Sequence, residues 1–192
     1  RPYGGTFFVF ADYMRSAIRM ACLMKLPVIY VFTHDSVAVG EDGPTHHGLF
    51  DYSYLRCMPN MTIMAPKDEN ELLRMMETAV QHDGPTAIRY PRGAGIGVKL
   101  DQNPKAIPIG KAEVLCEGED LLIIAIGNSV NEAIKAQEQL KQENIFSTLI
   151  NARFVKPIDE DLISTYAGKI NKIITVEEHV LDGGFGSAVL ET

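Results

Sequence analysis

MTIMAPKDENELLRMMETAVQHDGPTAIRY, the stretch Met61–Tyr90, decides the fold class. It opens on the short apolar run Met61–Ala65 and closes on Thr86–Tyr90, and both read as strands. Between them Leu72, Met75, Met76, Ala79 and Val80 share one face of a helix expected over Asp68–His82. Asp68 is placed as the N-cap, and Glu71 sits where a capping box requires its acidic member. A strand, a helix and a strand joined by short links predict a mostly parallel sheet covered on both faces.

The pattern extends in both directions. Upstream, Thr6–Leu23 passes from the dense run Phe7-Phe8-Val9-Phe10 to helical spacing at Tyr13, Ala17, Ile18, Ala21 and Cys22. Leu26–Phe32 reads as the next strand, with Pro27 at its start, and Asp51–Met58 as a short helix. Downstream, residues 93–108 are rich in Gly, Pro and charge, which places an interdomain linker at 99–108. A second α/β unit follows, with strands at Leu121–Ile126, Ser147–Asn151 and Lys172–Val176. Its helices are expected at Val130–Asn144, Asp159–Ala167 and from Gly183 to Thr192. The chain therefore reads as two three-layer α/β/α domains, residues 1–98 and 109–192.

Composition limits the partners. The 192 residues are 46% hydrophobic and 22% charged, as in globular domains, and a net charge of −7 argues against nucleic acid. Cys22, Cys57 and Cys116 stand far apart with no C-x-x-C pair, so neither a disulfide framework nor a thiolate metal site is suggested. The longest apolar runs fall far short of the roughly 20 residues of a membrane helix. A soluble cytoplasmic protein without a membrane partner is expected. Because the chain opens on Arg1 inside a β-α unit, a piece of a longer polypeptide is expected as well.

Reactive side chains concentrate in the loop Thr33–Gly48, which holds His34, Asp35, Glu41, Asp42, His46 and His47 and follows the carboxyl end of a strand, where open α/β sheets bind ligands. A solvated polar loop and a general acid–base site both fit this composition. The histidine spacings match no metal-ligand pattern.

These residues carry a resemblance. Tyr3-Gly4-Gly5-Thr6-Phe7, Thr33-His34-Asp35-Ser36 and Gly40-Glu41-Asp42-Gly43-Pro44-Thr45-His46 resemble the pyrimidine-binding domain of transketolase. Further on, Gly48–Arg56, Asp68–Glu71, Arg89-Tyr90-Pro91-Arg92-Gly93, Asn151–Pro157 and Gly183–Ser187 resemble the 1-deoxy-D-xylulose 5-phosphate synthases. Both groups belong to one thiamine diphosphate-dependent superfamily. The resemblance spans the whole chain, and more of its motifs favour the synthases.

The resemblance implies a transferase of the transketolase type, in which thiamine diphosphate carries the carbanion chemistry while the protein positions and polarises. Phe7, Phe10 and Tyr13 would line the aminopyrimidine pocket, with Phe10 stacked on the ring. His46 would move protons at the substrate carbonyl and hydroxyl, and Asp42 would bind a hydroxyl or that histidine. His34 matches a substrate-binding histidine of transketolase. Arg92 matches a phosphate-binding arginine of the synthases, a role that suits a guanidinium. The synthases' second phosphate arginine, in an Asp-Arg-Ala-Gly string, has no counterpart, since Asp35 falls near its place.

Two parts of the superfamily site are missing from these residues: the Gly-Asp-Gly string with its downstream Asn, which holds Mg²⁺ and the diphosphate, and the glutamate that protonates the aminopyrimidine. No metal ligand is therefore assigned, the chain is expected to be inactive alone, and a homodimer or partner subunit is expected to supply the diphosphate site. The expected substrates are pyruvate and sugar phosphates. A transketolase moving a two-carbon ketol unit and a non-catalytic pairing module are the alternatives. Gly183–Gly186 is expected to serve packing or subunit contact, and Glu177-Glu178-His179 reads as a polar strand end rather than an acid–base cluster.

Overall fold

A computed structural model describes residues 1–192. Strands β1 (Tyr3–Phe7), β2 (Ile29–Asp35), β3 (Thr62–Met64) and β4 (Thr86–Pro91) run parallel in the order β1-β2-β4-β3. Helices α1 (Arg15–Leu23), α2 (Asp51–Arg56) and α3 (Glu69–Gln81) belong to this half. The second half builds a sheet from β5 (Glu113–Cys116), β6 (Leu121–Ala125), β7 (Ser147–Asn151) and β9 (Ile173–Val176), in the order β5-β7-β6-β9. Its helices are α4 (Ser129–Gln142), α5 (Glu160–Ala167) and α6 (Phe185–Leu190). The expected α/β class with mostly parallel sheets is borne out. No helix is long and apolar enough to cross a membrane.

Three strands add to the sequence reading. β1 and a 3₁₀ segment, Phe8–Met14, precede α1 where the pattern predicts a helix from Thr6. β5 pairs antiparallel with β7 across a register shift. β8 (Phe154–Lys156) comes from the second half but pairs antiparallel with β3, at the edge of the first sheet. The two halves also share a core, in which Phe32, Tyr52, Ile63 and Ala87 of the first pack in one cluster with Ile124, Ile150, Val155 and Phe185 of the second.

Asp68 caps α3 as expected, its carboxylate accepting the Glu71 N–H at 2.7 Å. Glu71 does not return the bond to Asp68. It accepts from the Lys67 N–H instead and lies buried against Asn151 and Arg153 of the second half. Val80, placed on the apolar face by spacing, is 51% exposed. Thr78 is buried in that region, bonded through Oγ1 to both backbone groups of Ile107. Residues 99–108 thus lie along α3, with Arg74 donating to the Lys105 carbonyl and Asn70 accepting from the Asp101 N–H.

Candidate active site

The loop after β2 is closed at its base. Ser36 and Gly48 exchange both backbone hydrogen bonds, at 3.0 and 3.1 Å, so residues 37–47 leave the sheet and return to the same point. A Cβ on Gly48 would press on the His34 carbonyl, which makes glycine necessary for this closure. His34 and Ser36 both take left-handed backbone, φ 63° and 64°, at a cost of about 1–2 kcal/mol per residue. Such strain persists where the surroundings over-determine it, and it clusters at functional sites.

His34 is brought flat against Phe7, the rings 3.6 Å apart between centroids. Phe7 stands at the carboxyl end of β1, in register with Thr33. Phe10, in the 3₁₀ segment, lies 5.7 Å from Phe7 and 5.4 Å edge-on from His46. His46 bonds through Nδ1 to Thr45 Oγ1 at 2.9 Å, and no protein group bonds its Nε2. Phe10 is 39% exposed, so this aromatic group presents an open face. Tyr13, grouped with it in the sequence reading, is 88% exposed and makes no ring contact with it.

Asp42 pairs with a different histidine from the one expected. Its Oδ2 lies 3.2 Å from His34 Nε2 and 3.3 Å from Arg92 Nε, so it bridges His34 and Arg92 rather than serving His46. Arg92 also donates to the Val39 carbonyl at 3.0 Å and to Glu41 at 2.9 Å. The Glu41 carboxyl is held below its ordinary value by its own backbone N–H and by Arg92. The structure therefore gathers Phe7, Phe10, His34, Asp42, His46 and Arg92 on one side of the loop.

Behind the loop lies a buried charge group that the sequence reading did not assemble. Arg89, 2% exposed on β4, ion-pairs with Asp35 at 3.2 Å and with Asp51, and donates to Tyr52 Oη and to the Gly48 and Glu178 carbonyls. Burial opposes its charge, but Asp51 and Asp35 outweigh burial and hold the guanidinium protonated. Burial, with Asp51 adding to it, pushes the Asp35 carboxyl up to about 6 against the pull of Arg89. Asp35 therefore faces the interior, and no arginine stands in its place. A signal was available: an arginine within the otherwise apolar strand Thr86–Tyr90 requires buried acidic partners.

His179 is not a solvated strand end, because its side chain is fully buried. Nδ1 donates to the Val180 carbonyl at 2.7 Å, Nε2 accepts the Tyr52 N–H at 3.1 Å, and burial keeps the ring neutral. Gly183 and Gly184 present carbonyls to Arg56, and the Phe185 and Gly186 N–H groups bind Glu177. This glycine run is thus engaged in packing. No group of three or more His, Cys, Asp or Glu residues is arranged to hold a metal ion.

Residues 1–96 match the pyrimidine-binding domain of transketolase and residues 110–192 its C-terminal domain, so the chain belongs to the transketolase family. Within the family it is similar to the 1-deoxy-D-xylulose-5-phosphate synthase of Syntrophus aciditrophicus, 56% identical over 170 residues, which are 88% of this chain and 26% of that protein. Synthase 2 of Geobacter sulfurreducens is 50% identical over 194 residues, 98% of this chain and 31% of that protein. The chain thus spans between about a quarter and a third of the length of these curated relatives. Among solved structures, a split-gene transketolase in an inactive β4 tetramer superposes with a TM-score of 0.87 at 32% identity, covering 99% of this chain and 61% of that one. Transketolase of Campylobacter jejuni gives 0.76 at 29% identity, over 93% of this chain and 28% of that one.

Proposed function

We propose that this chain is the substrate-facing part of a thiamine diphosphate-dependent 1-deoxy-D-xylulose-5-phosphate synthase, which joins pyruvate to glyceraldehyde 3-phosphate with loss of carbon dioxide. The observation that carries the reading is the convergence of an open aromatic face, an unpartnered histidine nitrogen and an arginine at one loop. The names of these relatives point the same way.

The residues present fit one half of the cofactor. Phe7 and Phe10 offer a flat apolar surface to an aminopyrimidine, and aromatic faces suit such rings. When bound, thiamine diphosphate supplies a carbon nucleophile and an electron sink. The diphosphate and Mg²⁺ are assigned to a second subunit or segment, as in a homodimer, since no group of three or more His, Cys, Asp or Glu is arranged for the ion.

This chain's own residues then divide the work. His46, with Nδ1 held by Thr45, exchanges a proton with the substrate oxygen through Nε2. Asp42 orients His34 and, with Val39, aims Arg92. Arg92 binds the phosphate of the acceptor.

The test is an assay of the complete enzyme that contains these residues. Carbon dioxide release that depends on pyruvate and glyceraldehyde 3-phosphate supports the synthase. One observation favours a second reading, transketolase: His34 lines the site while Asp35 turns inward to Arg89. Turnover of a ketose phosphate donor without pyruvate would establish that alternative. Binding to a partner with no turnover in either assay would leave the non-catalytic module.

A further inference from the structure

Arg92 is already paired with two carboxylates, Glu41 and Asp42, before any phosphate binds. A guanidinium has five N–H donors in a planar fork. Here Nη1 donates to the Val39 carbonyl and Nη2 to Glu41, while Asp42 Oδ2 forms an ion pair with Nε at 3.3 Å. Two carboxylates therefore already balance the one positive charge. A phosphate monoester, carrying about −1.5 to −2 near neutral pH, meets repulsion from both.

The three partners are held unequally. Val39 is fully buried, and Asp42 is also bound by His34, through the same Oδ2 that faces Arg92. The Glu41 side chain is 85% exposed and has Arg92 as its side-chain partner. Glu41 also lies in the short 3₁₀ turn Gly40–Asp42, flanked by Gly40 and Gly43 in left-handed backbone at φ 63° and 71°. Gly40 packs so close to the guanidinium that a Cβ there would collide with Nη1. The turn thus brings an exposed carboxylate to Arg92 from the solvent side, while the other two contacts lie deeper.

We infer that Glu41 is an internal stand-in for the substrate phosphate: it occupies the Nη2 donor of Arg92 and moves aside on the Gly40–Gly43 turn when a phosphate monoester binds. The inference rests on the reading of Arg92 as a phosphate ligand. Glu41 then sets the specificity of the subsite, because a dianion displaces it more readily than a singly charged or neutral group. It also keeps the arginine paired between turnovers.

Inorganic phosphate is the probe, titrated at low ionic strength into the 192-residue chain. The readout is the arginine Nε–Hε signals in proton–nitrogen correlation spectra. Glu41→Ala is expected to tighten phosphate binding by about two- to fivefold, the range for removing an exposed ion-pair partner. Glu138→Gln, on the exposed face of α4, lowers the net negative charge equally and is expected to change nothing. Arg92→Gln is expected to abolish saturable binding. A change under about 1.5-fold in Glu41→Ala, a weakening, or an equal gain in Glu138→Gln overturns the role of Glu41, and loss of binding in Arg92→Gln then shows that the phosphate reading survives it. Wild-type affinity in Arg92→Gln overturns both.

Discussion

Glu71 is a sharp place to test how the two halves are joined. Its carboxylate is 2% exposed and takes five contacts: Arg153 Nε at 2.8 Å, Asn151 Nδ2 at 2.9 and 3.2 Å, the Lys67 N–H at 2.8 Å and Lys67 Nζ at 3.3 Å. Glu71→Gln keeps the size but turns one acceptor oxygen into a donor, so an N–H would face the Lys67 N–H or the Arg153 guanidinium. Removing one member of a buried pair costs about 3–5 kcal/mol. Arg153 keeps Glu113 at 2.8 Å, a carboxylate 36% exposed, which lowers the expected loss to about 2–4 kcal/mol.

Urea unfolding followed by far-ultraviolet circular dichroism measures this, since the chain has no tryptophan for fluorescence. The pH dependence gives a second signature. Burial raises the Glu71 carboxyl, but Lys67 and Arg153 together outweigh burial and hold it below its ordinary 4.5. Its folded value is therefore depressed, and the stabilisation is present above about 4.5 and lost as pH falls through the folded value. The difference between wild type and Glu71→Gln should be full at pH 7 and should narrow below about pH 4.5. A loss under about 0.5 kcal/mol at pH 7, or a gap that stays constant into acid, would refute the account of Glu71 as an ionised clamp.

In the complete enzyme, His46→Ala should cut turnover by about 10²–10⁴ in steady-state kinetics, as for loss of a general acid or base. Arg92→Ala should raise KM for the phosphorylated substrate by about tenfold to a hundredfold with a smaller effect on kcat, the range for a charge-assisted hydrogen bond. Phe10→Ala should weaken thiamine diphosphate binding, read by calorimetry, while leaving the unfolding midpoint nearly unchanged because the ring is part-exposed. Gly40→Ala should destabilise the chain by about 1–2 kcal/mol in urea, because a side chain at φ 63° is strained and collides with Arg92.

Strands and helices whose own residues carry the period were legible: α3 by its cap and stripe, β7 at its observed bounds, β2 and β6 by their apolar runs. β8 was not, because three residues that close the edge of the other half's sheet leave no local period. The expected helix from Thr6 gave way to β1 because Tyr3–Phe7 gains a parallel partner in Ile29–Thr33, a pairing that no local propensity encodes. The aromatic and histidine members of the candidate site, Tyr13 excepted, were proposed through resemblance, and the structure brings them together. The pairing of Asp42 with His34 and Arg92 was not, since it depends on a 3₁₀ turn folding back across a closed loop. Arg89 carried a readable signal, a charge within a buried strand, but its partners Asp35 and Asp51 lie on separate elements.

Arg89 also explains why the site and the junction between the halves cannot be separated. Asp35 stands at the entry of the loop 36–48 and Gly48 at its exit, and one guanidinium binds both, through an ion pair at one end and a carbonyl at the other. The same group binds the Glu178 carbonyl of the second half, and its Cζ lies 4.3 Å from the centroid of the Tyr52 ring, which stacks on His179. The positions of His34 and His46 therefore depend on contacts made beneath the loop as well as on those within it. A buried arginine is a costly way to gain stability, since apolar packing of the same volume does as well or better. Its use here follows from geometry: two carboxylates, a phenol and two backbone carbonyls converge on one point, and one guanidinium donates three hydrogen bonds to the phenol and the carbonyls while its charge faces both carboxylates. The strained backbone at His34 and Ser36 is then held from below by the group that joins the two sheets.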